Sequence, residues 1–471
     1  MKVFKNYLYN TSYQLLALIL PLITGPYISR VLGPNGVGIN TYTYNIANWF
    51  VMIGSIGIAY YGNKQIASSR TDIQTLSINF FEIFIMKAIT VAVSLVVYMI
   101  FIHSEGKYFT YLLVQSAYLI AAAIDISWFF MGIEDFRKTV TRNFFIKIIS
   151  LVLILTLVKS KGDLIIYISI LSFSTLIGNL TLWPFLRRNI VWVDWKSLKP
   201  FRHFKGAVEL FLPLVAIQLY TSLNKIILGA LDSTVSAGFY DKSDSIVKMA
   251  LTISTSLGTV MMPHAAKIFS EGNNKKVNDL LYKSFSFISC ISFPLSFGLS
   301  AIALKFGSWF YGKGFDEVGK LMFIESILIV VISWAGVTGN QFLVPTNQVK
   351  KYSHSVFLGA IVNTVLCIPL VKSIGIYGAL VAMIFSEISV TAYQVFSIRT
   401  QVDLKLLFRD TWKYIMASLL MFIVVFYINV NIEMNFFTLL LQVVVGIVLY
   451  CICLVLFRTR ILKDIINFVR K

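Results

Sequence analysis

The sequence predicts an all-α integral membrane protein with about fourteen transmembrane helices. No charged residue occurs between Asn6 and Ser29, and similar apolar stretches recur to the C-terminus with only short charged loops between them. Apolar residues make up 57% of the chain and charged residues 13%, whereas a soluble domain carries roughly 25% charged residues. A chain with this composition is expected to fold in lipid.

The predicted spans follow one another along the whole chain. A bilayer core of about 30 Å requires about 20 apolar residues per helix. Uncharged stretches support the first span and five later ones, which contain Leu164–Leu186, Ser284–Leu304, Tyr352–Val371, Tyr414–Ile432 and Met434–Phe457. The other spans are weaker apolar segments. The predicted boundaries are 7–31, 36–62, 75–102, 109–131, 143–160, 163–186, 207–231, 243–263, 280–305, 319–342, 353–372, 375–397, 413–431 and 435–457.

The positions of the basic residues predict the orientation. With the N-terminus inside, the cytoplasmic segments hold about three times as many Lys and Arg residues as the outer segments, as the positive-inside rule requires. Both termini are therefore expected in the cytoplasm. The formal charge of +19 is then a topology signal that favours anionic lipid headgroups and does not predict nucleic-acid binding.

Four segments are predicted along the chain. Residues 1–186 form a six-helix bundle, 187–206 a cytoplasmic basic linker, 207–397 a second six-helix bundle, and 398–471 two extra spans with a basic cytoplasmic tail. The linker alternates basic and aromatic residues, which is typical of a segment at the inner membrane interface.

Short sequence matches indicate that the two bundles are repeats. Four matches occur in the same order about 200 residues apart. They pair Leu20-Pro21-Leu22 with Leu212-Pro213-Leu214, Leu32-Gly33 with Leu228-Gly229, Val37-Gly38 with Ala237-Gly238, and Ile126-Ser127-Trp128 with Ile332-Ser333-Trp334. Six helices per repeat make the halves parallel, and transporters of this kind bind substrate between the halves and alternate its access.

Motifs of glycine, proline and apolar residues resemble one family of membrane proteins. The stretch from Leu20-Pro21 through Tyr27-Ile28-Ser29-Arg30-Val31-Leu32-Gly33-Pro34-Asn35-Gly36-Val37-Gly38 to Gly57-Ile58 is similar to the opening signature of bacterial polysaccharide-repeat-unit flippases of the Wzx type. Later similarities are Asp125-Ile126-Ser127-Trp128 with Gly132 and Glu134, Ile227-Leu228-Gly229 with Ala237-Gly238-Phe239-Tyr240, Met262-Pro263, Asn363, and Gly375 with Gly378-Ala379 and Glu387.

The resemblance implies a function. This family belongs to a superfamily that also contains the lipid II flippase and the multidrug MATE antiporters. The implied activity is movement of an undecaprenyl-diphosphate-linked oligosaccharide from the inner to the outer leaflet of the bacterial cytoplasmic membrane, for capsule, O-antigen or exopolysaccharide synthesis. The implied partners are a polysaccharide polymerase and a chain-length regulator.

Cations within the predicted helices are candidates for binding the diphosphate. Arg30 lies three residues before Gly33 and Lys225 four residues before Gly229, so they occupy near-equivalent positions in the two repeats. The alternative is that both extend to the outer interface. Many relatives carry an acidic residue where this chain has Asn224, which argues against a carboxylate-based ion step there. Further candidates are Lys87, Lys147, which alternatively snorkels to the inner interface, and Lys248, which alternatively pairs with Asp244.

Carboxylates and prolines complete the set of candidates. Asp125, Glu325 and Glu387 either bind protons or sodium or balance nearby cations, and charge balance is favoured for Glu325. Pro21, Gly25, Pro26 and Pro213 are predicted hinges, because proline removes a backbone donor and kinks a helix. Their alternative role is static packing.

Two other function classes remain open. A MATE-like ion-coupled antiporter would be expected to have an acidic cavity for cationic drugs. A polytopic glycan polymerase or acyltransferase would be expected to carry paired catalytic groups, and the four histidines show no such pattern. Neither a cofactor nor a metal is expected, and coupling to protons, sodium or the membrane potential is left open.

Overall fold

A computed structural model describes the backbone of residues 2–104, 106–256 and 258–461. Side chains are described from residue 19 onward, except at 212–214, 216, 217, 219, 220 and 258–260. The regular structure of these residues is helical, which confirms the predicted fold class. Apart from short 3-10 turns and a π-helical segment at Gly336–Leu343, the helices are α1 (Lys2–Ser55), α2 (Ile58–Ser68), α3 (Ile73–Ser104), α4 (Phe109–Ile124), α5 (Ser127–Gly132), α6 (Phe136–Leu157), α7 (Leu164–Leu180), α8 (Trp183–Leu186), α9 (Phe204–Leu231), α10 (Thr234–Thr255), α11 (Gly258–Ser270), α12 (Asn274–Tyr311), α13 (Asp316–Glu325), α14 (Leu328–Ala335), α15 (Val349–Ile374), α16 (Ile376–Ile398), α17 (Leu404–Leu407), α18 (Thr411–Asn431) and α19 (Phe436–Leu456).

Within the described ranges, nine helical segments are long and apolar enough to cross a membrane. Taken together, α13 and α14 with the π-helical segment meet the same criterion as a tenth candidate, interrupted by a bend of 43°. The first, second, seventh and eighth predicted spans are not among these ten; they fall in α1, α2 and α9 to α11. The total of fourteen and the cytoplasmic location of the termini stay predictions.

The first two predicted spans are separated by a backbone break at Gly33. This residue lies within α1 but has φ 69° and ψ 178°, a non-helical conformation that favours glycine. Pro21 and Pro26 lie within the preceding helical stretch, so the observed break lies about two to three turns beyond them. Helix α9 continues through Pro213, whose side chain is outside the described residues.

The chain divides into two compact units, Met1–Gln218 and Leu219–Lys471. The basic linker at 187–206 belongs to the first unit. Its backbone is held there because Val191 N–H donates to Ser77 Oγ at 2.9 Å. The ring of Trp195 lies 5.3 Å from that of Phe81.

Glu82 on α3 is the centre of this linker contact. Its side chain is 1% exposed and accepts from Lys199 N–H at 2.7 Å, from Arg202 Nε at 2.5 Å and from His203 Nε2 at 2.9 Å. Tyr61 Oη lies 2.8 Å from His203 Nδ1. This geometry fits a neutral imidazole that donates from Nε2 and accepts at Nδ1. Because burial lowers the pKa of His203, the neutral form is favoured.

The predicted repeats share a packing motif. In the first unit, Trp128 stacks on Phe80 with ring centroids 5.6 Å apart and planes 21° apart. In the second, Trp334 stacks on Phe285 at 5.3 Å and 25°. The paired tryptophans and the paired phenylalanines are each separated by about 200 residues, as the sequence matches are. The repeat detected in the sequence therefore corresponds to equivalent side-chain packing inside each unit.

Contacts between loops agree with the predicted alternation of sides. Arg70 pairs with Glu134 at 2.8 Å, and both lie in loops predicted to be cytoplasmic. Tyr27, near the predicted outer end of the first span, donates at 2.7 Å to Val158 O, near the predicted outer end of the fifth span. In the second unit, Lys305 donates to Val430 O at 2.8 Å, and both lie at predicted outer ends.

Candidate functional site

The first unit contains a cavity of about 380 Å³ between its helices. It is lined by residues of α1, α4, α6 and α7. Its charged lining residues are Arg142 and Lys147, both on α6. The lining also contains Pro21, three tyrosines and several polar side chains: Tyr44, Tyr118, Tyr167, Thr24, Asn143, Ser150, Ser174, Thr175 and Asn179. The cavity thus combines positive charge, hydroxyl and amide groups, and aromatic faces inside apolar helices.

The side chain of Arg142 lines this cavity and is fixed by several polar contacts. Its Nη1 donates to Asn179 Oδ1 at 2.9 Å and to Ser127 Oγ at 3.2 Å. Asp125 Oδ1 lies 3.8 Å from the same nitrogen. The Asn179 amide in turn donates to Ala121 O at 2.7 Å. The guanidinium is therefore held in place by partners on α5, on α7 and at the break between α4 and α5.

Asp125 lies at the break between α4 and α5. Its carboxylate accepts from the backbone N–H of Ser127 at 3.0 Å, which satisfies a free donor at the start of α5. Lys87 on α3 donates to Asp125 O at 2.9 Å and lies 3.8 Å from Oδ2. Both predicted residues thus stabilise this helix break. Lys87 is enclosed there and is not among the residues that line the cavity.

Arg30 is exposed close to the break at Gly33. The same end of the helix contacts the loop after α6, since Lys159 lies over the ring of Tyr27 at 5.9 Å. A Cβ added to Gly33 would contact Lys161 Cε at 3.7 Å. Several cations therefore gather at this end of α1, as they would at a charged interface.

In the second unit, Lys225 is enclosed by two carboxylates of α10. Its Nζ lies 2.6 Å from Asp241 Oδ1 and 3.0 Å from Asp244 Oδ2. Lys248 Nζ lies 2.8 Å from the same oxygen of Asp244, so the predicted local ion pair is present. The Lys248 side chain is 42% exposed, whereas Lys225 is buried. These four groups form an alternating cluster of positive and negative charge.

Two further carboxylates lie in the second unit. Glu325, the last residue of α13, is completely buried and accepts a hydrogen bond from Ser243. In the described part of the chain it forms no ion pair within 4 Å. Glu387 on α16 is buried, and its electrostatic neighbours are Lys248 and Tyr352. The cations that act on Glu325, Lys225 and Lys248, contact Asp244 directly, and charge balance by Glu325 stays a prediction.

A family model described as "Polysaccharide biosynthesis protein" matches residues 3–269, more than half of the chain. The chain belongs to this family. Two relatives named "Putative O-antigen transporter" are both 22% identical to this family member. The Shigella dysenteriae protein matches over 61% of this chain and 72% of its own length. The Escherichia coli K12 protein matches over 84% and 96%.

The fold of this polysaccharide biosynthesis family member is shared with a solved lipid II flippase, MurJ, in an inward closed conformation. The two superpose with a TM-score of 0.76 over 98% of this chain and 100% of the flippase, at 15% identity. The relatives are named as transporters, which agrees with the prediction of a transporter rather than an enzyme. Together with the apolar helices, they confirm a multi-pass inner-membrane protein.

Two functional candidates in this family member were missed in the sequence. Arg142 was placed just outside the fifth predicted span, and Asp241 just before the eighth. Both are drawn into the helical units because α6 begins at Phe136 and α10 at Thr234, several residues earlier than predicted. The spacing of Asp241 and Asp244, together with Lys225 on the preceding helix, was the available signal.

Proposed function

We propose that the protein moves undecaprenyl-diphosphate-linked oligosaccharide repeat units from the inner to the outer leaflet by alternating access. The product would serve capsule, O-antigen or exopolysaccharide synthesis through a polymerase and a chain-length regulator. Family membership and the names of the relatives support this class of substrate. The observation that carries the proposal is the cationic, tyrosine-lined cavity within the apolar helices of the first unit.

The cavity matches the chemistry of the proposed substrate. A diphosphate brings negative charge into a layer where charge is costly unless it is paired. Arg142 and Lys147 are the charged groups of the lining, and both are positive. Tyr44 and Tyr118, whose rings lie 5.4 Å apart, offer apolar faces and hydroxyl groups to a sugar. A cationic drug would be repelled by this lining, which disfavours the antiporter alternative.

The other predicted cations receive different roles in this proposal. Lys87 and Lys225 are enclosed by carboxylate or carbonyl partners, so they hold helices together in the described conformation. Arg30 and Lys248 have accessible side chains and would meet the diphosphate at other stages of the cycle. The predicted hinges at Pro21, Gly25, Pro26 and Pro213 stay proposals for alternating access.

The test is translocation of a fluorescent undecaprenyl-diphosphate oligosaccharide in proteoliposomes, read with a membrane-impermeant quencher. The variants are Arg142→Gln and Lys147→Met, and the matched control is Arg137→Gln, an exposed arginine on the same helix. Loss of one charge-assisted hydrogen bond, about 1.5–3 kcal/mol, should slow transport roughly tenfold or more. Arg137→Gln should retain the wild-type rate.

Thermal unfolding in detergent separates transport defects from folding defects. If both cavity variants are folded and transport at the wild-type rate, the cavity of the first unit is not the binding site. If folded wild-type protein moves no lipid-linked oligosaccharide of several kinds, the flippase proposal is wrong. Transport of cationic drugs should then be measured.

A further inference from the structure

We propose that Glu325 is a proton-binding site of the second unit. The proton would add to its carboxylate, converting the charged group to a neutral carboxylic acid. The site itself stands on the geometry of the unit. Only its coupling to transport rests on the proposed function.

The environment of Glu325 disfavours a negative charge. Its side chain has no solvent-exposed surface, and Oε2 accepts one hydrogen bond, from Ser243. Oε1 has no hydrogen-bond partner among the described residues. A buried carboxylate without a compensating cation costs several kcal/mol. A proton on the carboxylate removes that charge.

Neighbouring groups act in the same direction. The negative charge of Asp244 acts on Glu325 from α10, which packs against α13. Glu325 is also the last residue of α13, where the carbonyl end of the helix dipole is negative. Lys225 and Lys248 act on Glu325 from a distance, but both contact Asp244 directly.

The other titratable groups around Glu325 have separate partners. Tyr240 on α10 lies 3.4 Å from Asn224 Nδ2, and Lys242 lies over the ring of Tyr311 at 5.7 Å. Four titratable groups on α12 and α16 also have contacts or charged neighbours of their own. Tyr311 and Lys305 of α12 donate to backbone carbonyls, Tyr377 of α16 donates to Glu317, and Glu387 of α16 is influenced by Lys248.

The geometry favours a proton over a metal cation. Lys225 Nζ already occupies the point between the carboxylates of Asp241 and Asp244. Among the described residues, no group of three or more His, Cys, Asp or Glu side chains could hold a metal ion. Glu325 supplies a single carboxylate with one hydroxyl beside it. Such a site accepts a proton without further ligands.

The position of Glu325 suggests how the proton would be exchanged. The bend of 43° between α13 and α14 follows it directly, and the π-helical segment Gly336–Leu343 continues the same span. Bends and π-helical turns are places where packed helices rearrange. A change of this bend would expose the carboxyl group to water and release the proton.

The test is an infrared titration of purified protein in lipid nanodiscs between about pH 5 and about pH 9. A protonated carboxyl group has a C=O band separate from that of a carboxylate, so the readout requires no transport. In wild type we expect a band that disappears on alkaline titration. Glu325→Gln should lose this band. The matched control Glu317→Gln, at the other end of α13, should retain it.

Two charge variants test the assigned environment. Asp244→Asn removes a negative neighbour, so the proton should be released at a pH lower by about one unit or more. Lys248→Met removes a positive neighbour, so release should move to higher pH. Lys248 is partly exposed, and this variant keeps the test valid if Asp244→Asn does not fold.

The outcomes separate the two proposals. Infrared titrations that are identical in wild type and Glu325→Gln overturn the proton site, because the buried Glu387 contributes equally to both. Transport of lipid-linked oligosaccharide can still be intact in that case. If the band is lost in Glu325→Gln and yet folded wild type moves no lipid-linked oligosaccharide, the proton site stands and the flippase proposal fails.

Discussion

Glu82 is expected to hold the basic linker on the first unit, and Glu82→Ala should release it. The buried carboxylate accepts from the Lys199 backbone, Arg202 and His203 in the linker. Removing it leaves these donors without their acceptor at the end of α3. The helix itself should remain, because alanine has the highest helix propensity.

The expected loss of docking free energy in Glu82→Ala follows from the exposure of each donor. A hydrogen bond to a charged group contributes about 1.5–3 kcal/mol, and the enclosed bond from His203, which is 4% exposed, should have this value. Arg202 is 48% exposed, so water screens its ion pair and limits it to about 0–1 kcal/mol. Lys199 is exposed, so its N–H regains water. The linker should therefore lose about 2–4 kcal/mol of docking free energy.

Limited trypsin digestion with mass spectrometry measures this loss, because the linker contains several lysines and arginines. A loss of 2–4 kcal/mol raises the open population roughly 30- to 1,000-fold, and cleavage within 187–206 should accelerate equally when opening is fast. The matched control is Glu134→Gln, which removes an exposed carboxylate paired with Arg70. Equal linker cleavage in Glu82→Ala and wild type would refute the reasoning.

Three further outcomes are expected. Burial lowers the pKa of His203 below its ordinary 6.5, so the released imidazole takes up a proton more readily than the docked one. Docking of the linker should therefore weaken as pH falls through about 6.5. The trypsin assay should show no such pH dependence in His203→Gln. Lys225→Met leaves two carboxylates of the second unit without their central cation. The free energy of unfolding, measured with denaturant in detergent, should fall by about 2–4 kcal/mol. An unchanged unfolding midpoint would contradict the assigned ion pairs. In Gly378→Ala the new Cβ would lie 2.2 Å from the carbonyl of Leu370. The protein should lose about 1–3 kcal/mol of stability, seen as a lower melting temperature. In the control Gly446→Ala the nearest contact is at 3.5 Å, so the melting temperature should not change.

The linker shows what the sequence can predict and what it cannot. Its alternating basic and aromatic residues predicted a segment at the inner membrane interface. The contact between Glu82 and His203 joins positions 121 residues apart, and no local pattern indicates such a pair. Arg142 was similarly missed because a charge near a helix end reads as a loop residue, although α6 extends beyond it.

The sequence by itself determined the membrane class, the helical fold, the repeat and the family. These properties depend on composition, on uncharged runs matched to bilayer thickness and on ordered motifs, all of which are local or periodic. Only the tertiary structure decided which charges are partners: Lys225 with Asp241 and Asp244, Lys87 with Asp125, and Glu325 with no ion-pair partner among the described residues. Electrostatic interactions act through space over a few ångströms, so their pairing depends on how the helices pack and rotate.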